Sequence, residues 1–424
     1  MRGSIGLSEE ALDHTSVTDP VWARRLVEHL RGGVPLPPGD TSLMIGRQRL
    51  VDQVEGILDD VERRQSRALL LQAHYGDGKT HTLRLLWGVA SRRKFVVSTI
   101  ALTRGTPFDR LDKVYPQLVA NTYLPGSSEP GIERLVSEIA EGSPKAERLL
   151  QFSSDELHPK LHAVLRNYIQ GGSTEANQEL IGDLERLDLG TSRLKSIHRL
   201  NFSETLKPGR FSAQRDVRDY FRLIDFLIHL QGYAGWVLLF DEAELIGRLG
   251  KGARAKAYAN IGRFISDGLG CRHVCSVFAF SNVFLTEVMD RRRDEQEAPL
   301  WLEGRGDAEG AERARLSIDA IRDSMPLDPL ADRDWMAIFQ TVLAAHQAAY
   351  GWTAPVDAAG LWRKTLALSP ATDSPVRTRL RVAIAWLDLV WQYQRAPLAI
   401  QVGGMQRQVL TEDPEDEAAA TSEA

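Results

Sequence analysis

The chain has 424 residues, of which 43% are hydrophobic and 26% charged, with a formal net charge of −5. That length and composition suit a large globular domain with a smaller one beside it. Six acids and no Lys or Arg lie between Thr411 and Ala424, and without them the remainder stands near +1, which excludes a strongly basic nucleic-acid binder and a polyanion mimic. No apolar run reaches membrane-spanning length, and Met1 to Asp13 lacks the apolar centre of a signal peptide, so a cytoplasmic protein without membrane contact is expected.

Val21 to Arg31 is predicted to be a helix, with Leu26, Val27 and Leu30 on one face and Gly32-Gly33 as its stop. A Pro-rich connector follows from Val34 to Gly39. Ile45-Gly46-Arg47 opens a second helix whose apolar face is Leu50, Val54, Ile57, Leu58 and Val61. Ala68 to Ala73 is a short apolar run suited to a buried parallel strand. Thr80 to Arg92 has helical spacing, and Phe95 to Leu102 is a second strand, so strand, glycine-rich loop, helix and strand form a βαβ unit.

From about Leu124 to Phe211 the strand signal vanishes. Helices are expected around Ile132 to Ile139, Leu157 to Ile169 and Leu180 to Leu194, which makes 124–211 a helical insertion. Another helix runs from Val217 to Leu230. Trp236 to Phe240 is a central strand ending at Asp241-Glu242, followed by a helix to about Asp267. Cys271 and Cys275 are the only cysteines. They exclude a disulfide framework, are too few for a Cys-rich zinc site even with His273 between them, and read as buried thiols. Val274 to Phe280 is the next strand, and Asn282 to Arg293 a helix. Leu302 to Gly310 is Gly- and charge-rich and reads as a loop, with a last strand near Leu316 to Leu327. Helices are expected over Asp332 to Tyr350, Ala358 to Leu368 and Val376 to Tyr393, and a disordered acidic tail over 411–424.

Two segments carry chemistry. Ala73-His74-Tyr75-Gly76-Asp77-Gly78-Lys79-Thr80 follows the phosphate-loop pattern of glycines ending in Gly-Lys-Thr/Ser, with Ala73 where that pattern has its first glycine. A bare Gly-Lys-Thr is common, so context decides, and here a strand precedes it and a helix follows. Gly76 and Gly78 let backbone N–H groups turn inward on an anion, the helix adds its positive end, Lys79 reaches the terminal phosphates and Thr80 reaches Mg²⁺. The nucleotide-binding stretch is Tyr75 through His81 (Tyr75, Gly76, Asp77, Gly78, Lys79, Thr80, His81). Asp241-Glu242, at the end of an apolar strand, suits Mg²⁺ coordination by Asp241 and polarisation of an attacking water by Glu242. Asn282, or else Ser281, ends the next strand and would sense the γ-phosphate; an Asn there is also an ordinary helix cap. Together these residues predict an ATPase using ATP and Mg²⁺. No guanine-reading Asn-Lys-x-Asp is present.

In this order the motifs resemble AAA+-like ATPases of the additional-strand P-loop branch. Within that branch the chain resembles the BREX phage-defence accessory ATP-binding protein family (BrxD-like). Ala23-Arg24-Arg25-Leu26-Val27-Glu28 with Gly33-Val34-Pro35, Tyr75 to Thr80, and Gly232-Tyr233-Ala234-Gly235 leading into Trp236 to Glu242 carry the likeness, which spans about Asp19 to Gln394.

The resemblance implies a three-layer α/β P-loop fold over 41–328, preceded by an N-terminal helix and linker over 1–40 and followed by a C-terminal α-helical lid over 329–400. It implies that Ile45, Gly46 and Arg47 line the adenine pocket and that Arg377, with Arg381 as runner-up, touches the γ-phosphate from the lid. An arginine finger acting on a neighbouring subunit would come from Arg291, Arg292, Arg293 or Arg305. The implied partners are other phage-defence proteins, with homo-oligomerisation and direct DNA contact left open. Turnover would gate assembly of the defence complex; the alternatives are a non-hydrolysing ATP switch and a DNA-remodelling motor.

Overall fold

The computed structural model describes residues 19–34, 43, 45–127, 129–369 and 376–393. Residues 35–39 of the Pro-rich connector and the acidic tail expected above lie outside the described residues. In chain order the elements are α1 (Pro20–Gly32), α2 (Gln48–Glu62), β1 (Arg67–Ala73), α3 (Lys79–Arg92), β2 (Phe95–Ala101), α4 (Leu111–Ala120), β3 (Thr122–Tyr123), α5 (Glu133–Ser137), α6 (Pro144–Glu156), α7 (Pro159–Gln170), α8 (Thr174–Arg186), α9 (Thr191–Phe202), α10 (Ala213–Leu230), β4 (Gly235–Asp241), α11 (Lys251–Ser266), β5 (Val274–Ser281), α12 (Asn282–Phe284), α13 (Asp294–Glu303), α14 (Ala308–Arg322), β6 (Met325–Pro326), α15 (Asp332–Tyr350), α16 (Ala358–Leu368) and α17 (Val376–Tyr393). The expected mixed α/β class holds: the strands form one six-stranded sheet in the order β3-β2-β4-β5-β1-β6.

The chain divides into two compact units. The larger comprises Gln53–Gln72 and Val89–Met325. Its sheet centre is apolar because parallel strands covered on both faces need side chains that tolerate burial both ways. All seven residues of β4 and all eight of β5 are buried. β4 runs parallel to β2 in the register Val97↔Val237 and parallel to β5 in the register Leu238↔Ser276, whereas the short β3 is antiparallel to β2.

Phe108, Phe240, Phe264 and Phe278 pack as one cluster, with the Phe240 and Phe278 rings stacked at 4.6 Å and Phe108 edge-on to Phe240 at 5.4 Å. Two buried hydroxyls and an indole N–H in this sheet satisfy one another: the Trp236 indole N–H donates to Ser98 Oγ at 2.7 Å, and Ser98 shares a hydrogen bond with Thr122 at 2.6 Å. Beside the sheet, Asp294 on α13 accepts from Arg254 Nε and Nη2 at 3.0 Å each and from the Tyr258 hydroxyl at 2.8 Å, fixing α13 to α11. Cys271 and Cys275 are free and buried, and burial pushes the Cys275 thiol up to about 12.

The smaller unit joins the described residues up to Asp52, Ala73–Gly88, and those from Pro326 on. Its core is built from α1, α15, α16 and α17 around Leu26, Trp335, Phe339, Ile384 and Leu387. Trp335 stacks on Trp362 at 4.9 Å. Asp388 of α17 accepts from Arg31 of α1 through Nε at 2.9 Å and Nη2 at 2.6 Å, and pairs with His346 Nε2 at 3.0 Å. The Trp352 indole donates to His346 Nδ1 at 2.9 Å, so His346 carries its proton on Nε2. The N-terminal helix is therefore a structural member of the C-terminal helical bundle.

Several sequence expectations are corrected. Leu316 to Arg322 is not a strand but the end of α14, because Ala311, Ala314, Ser317, Ile318 and Ile321 are buried at helical spacing; only Met325–Pro326 is extended. Leu302 to Gly310 is not one long loop: α13 runs to Glu303, and Asp307 caps α14 by accepting from Gly310 N–H at 2.8 Å. Leu180 to Leu194 is two helices, broken where Leu187 turns left-handed at φ 58°. α6, with Ser143 as N-cap and Pro144 at N1, had no counterpart in the sequence reading. The residues after Glu242 first make a 3-10 turn, Ala243–Arg248, before α11. β1 and β2 do not pair; β5 and β4 stand between them.

Candidate functional site

The Gly76–Gly78 loop lies in the smaller unit, between β1 and α3. Ala73 ends β1 in extended backbone, so this position makes no demand for glycine. Gly76 and Gly78 do meet such a demand, at φ 89° and 95°. The loop is closed by Asp77 N–H to His74 O at 3.2 Å and by Thr82 N–H to Gly78 O at 2.8 Å. Lys79 is the first residue of α3 and is buried, and Thr80 follows it. Alternating left-handed glycines at a helix start turn successive N–H groups toward one concavity, an arrangement that binds anions.

Two other predicted residues, Arg377 and Arg47, meet this loop within the same unit. The Arg377 backbone N–H, in the first turn of α17, donates to Gly76 O at 3.3 Å, and its guanidinium stands 5.7 Å from the Tyr75 ring centroid. The Lys79 ammonium is 6.0 Å from the same ring. Arg47 donates through Nη2 to Asp77 O at 3.5 Å and through Nη1 to Asp328 O. Burial pushes the Arg47 pKa down, against the pull of Asp328, Asp77 and Asp334. Burial likewise pushes the Asp77 carboxyl up, against His74 and Arg47. His81 Nε2 faces Leu43 O at 3.3 Å.

Ile45 is partly buried and Gly46 adopts φ 76°. A Cβ at position 46 would meet Asp334 Oδ2 at 2.7 Å. Arg381, the runner-up to Arg377, lies at the end of α1, where the methylenes of Arg377 also pack: a Cβ at Gly33 would meet Arg381 Cδ at 3.0 Å and Arg377 Cδ at 3.3 Å. Asp328 and Asp334 were not anticipated. Nothing in their local sequence ties them to a loop some 250 residues earlier.

The acids lie in the larger unit. Asp241 is buried at the end of β4, and one of its oxygens accepts from the Glu242 backbone N–H at 2.9 Å. Glu242 has φ 55°, a left-handed conformation that costs a non-glycine residue energy and turns the chain sharply out of the strand. Ser281 ends the neighbouring parallel strand and caps α12 by accepting from Val283 N–H at 3.3 Å, so the capping role belongs to Ser281 and not to Asn282. Asn282 is the first residue of α12, beyond the end of β5.

Of the four finger candidates, Arg291 pairs with Glu287 at 3.8 Å, Arg292 donates to Gly247 O at 3.0 Å, and Arg293 is exposed at φ 54°. Arg305 lies over the Trp301 ring at 3.6 Å. No group of three or more metal-ligating side chains occurs among the described residues, and none of their helices is long and apolar enough to cross a membrane.

The chain matches the family model described as BREX system ATP-binding protein BrxC/D, over residues 20–171 and 146–396. No curated protein and no solved structure matches it.

Proposed function

The chain belongs to the BREX system ATP-binding protein BrxC/D family, and from that premise we propose that it binds Mg-ATP on the Tyr75–His81 loop and hydrolyses it in the service of a phage-defence assembly. The observation that carries this reading is the pair of left-handed glycines, Gly76 and Gly78, set immediately before a buried lysine at a helix N-terminus. That combination suits a chain of phosphates.

Lys79 and the loop N–H groups take the negative charge of the β- and γ-phosphates. Arg47, Gly46 and Ile45 lie on the base side, and Arg377 reports on the γ-phosphate from a C-terminal helical lid. Thr80 and Asp241 would hold Mg²⁺, whose charge offsets that of the phosphates. Glu242 orients and polarises the attacking water, and Asn282 senses the phosphate being lost. The AAA+-like, additional-strand assignment is supported by β5, which stands between the loop-bearing β1 and the acid-bearing β4. The lid assignment is supported by the Arg377–Gly76 bond, through which a change at the loop reaches α17. Other defence proteins of the system are the expected partners.

Phosphate release tests the enzyme reading. With Mg-ATP and the native neighbouring proteins, the wild type should turn over, while Glu242→Gln should retain nucleotide and lose release by ~100-fold or more. Full phage resistance in the Gln variant, with no phosphate from the wild type, would instead make the protein a non-hydrolysing ATP switch.

A further inference from the structure

We propose that the helical segment formed by α9 and the loop after it is a docking surface for a nucleic-acid phosphate backbone. Residues 191–215 contain six Arg or Lys and one Glu, in a chain whose net charge is −5. All six basic side chains are exposed. Two of them are neutralised locally, Arg193 by Glu179 at 2.7 Å and Arg215 by Asp216 at 2.6 Å. The one acid, Glu204, is taken by Arg166 at 3.4 Å. Among the described residues Lys195, Arg199, Lys207 and Arg210 have no ion-pair partner.

The fold brings the two segments that carry these four beside one helix. Leu194, Ile197 and His198 turn one face of α9 inward, which leaves Lys195 and Arg199, one turn apart, together on the outer face with Ser192 and Ser196. α9 meets α7 through Asn167 Nδ2 and His198 Nδ1 at 3.0 Å, and through the Arg166 guanidinium on the Phe202 ring at 4.0 Å. The chain then returns along α7 to its start, where His158 Nε2 faces Arg210 O at 3.3 Å. The segment that carries Lys207 and Arg210 therefore runs beside α7, a helix of 12 residues, from the end that meets α9 to its start, a span of roughly 18 Å. One strand of B-DNA places about five phosphates over that distance at ~3.4 Å each. The outer face of α9 offers Lys, Arg, Ser and the 82% exposed Leu200. Its Asn201 is already bonded to Asn167 at 3.1 Å, so the surface is suited to backbone contact without base reading.

The test is binding of a mixed-sequence DNA duplex to the full chain by fluorescence anisotropy across a salt series. A variant with Lys195→Gln, Arg199→Gln, Lys207→Gln and Arg210→Gln should bind at least ~10-fold more weakly at 50 mM salt, and its log K against log salt slope should flatten by about three to four units. A control with the same charge change elsewhere, Lys113→Gln, Arg134→Gln, Arg363→Gln and Lys364→Gln, should bind like the wild type. Both variants should melt at the wild-type temperature, and Lys79→Ala should keep DNA binding, which separates this surface from the nucleotide site. Equal binding by the two quadruple variants, or no duplex binding by the wild type at 50 mM salt, overturns the proposal. So does loss of polyglutamate binding with DNA binding intact, which would assign the surface to an acidic protein.

Discussion

The backbone N–H of Arg377 donates to the carbonyl of Gly76 at 3.3 Å, joining the first turn of α17 to the glycine loop. The guanidinium of the same arginine faces the Tyr75 ring, while its methylenes pack against the end of α1 beside Arg381, one turn on. If Arg377 reports on the γ-phosphate, Arg377→Ala should lower the rate at saturating ATP by ~100-fold, in the range for losing one oriented donor at a phosphoryl centre. Arg381→Ala should lower it far less. Steady-state phosphate release on both variants checks this, and equal losses would remove the distinction.

Gly46 is a second point where the loop region depends on backbone geometry. Its φ of 76° disfavours any side chain, and a Cβ would meet Asp334 Oδ2 at 2.7 Å. Asp334 cannot swing away freely, because that oxygen accepts from Ala331 N–H at 2.9 Å at the start of α15. Gly46→Ala should therefore cost ~2 kcal/mol or more in stability. The fall in melting temperature by calorimetry, about 2–4 °C per kcal/mol for a domain of some 200 residues, measures it.

The Asp388 network predicts a pH dependence. Burial acts to raise this carboxyl, but hydrogen bonds from His346 and Arg31 outweigh it and hold the pKa below its ordinary value. A carboxylate whose pKa is lower folded than unfolded adds stability above the unfolded value, and loses it as pH falls through the folded one. Asp388→Asn should cost about 1–3 kcal/mol at pH 7. The gap from wild type should stay flat down to about pH 5 and close below ~4. Urea titrations at each pH measure it; a gap that widens in acid would reverse the sign.

Asp294 is almost wholly buried, at 1% exposure, between Arg254 and Tyr258. Removing one partner of a buried pair strands the other's charge, so Asp294→Ala should destabilise by ~3–5 kcal/mol. Replacing both, as Arg254→Met with Asp294→Leu, should cost much less. Urea midpoints of the single and double variants decide between a stranded charge and simple loss of packing.

How much of this was legible in the sequence follows from where the determining contacts lie. β4 and β5 are short apolar runs buried on both faces, and Lys79 follows two glycines that only a bent loop requires; these signals are local. By residue type the Ile and Leu of α14 suit a strand, whereas the spacing of four and three between Ala314, Ile318 and Ile321 is that of a helix. The Asp307 cap sits in a stretch whose glycines alone suggest a loop. The positions of β4 and β5 between β1 and β2 come from tertiary pairing across more than a hundred residues. Asp328 and Asp334 take their roles only once folding brings Arg47 and Gly46 to them, and no periodicity marks such a meeting.

The most direct measurement is the melting temperature of wild type and Lys79→Ala with and without Mg-ATP. Nucleotide at ~100 times its dissociation constant stabilises a binding-competent fold by about 2.7 kcal/mol, so the wild type should rise by several degrees while Lys79→Ala should not move. A wild type whose melting point is indifferent to Mg-ATP, or a Lys79→Ala protein that rises equally, would contradict the assignment of the glycine loop as the ATP site.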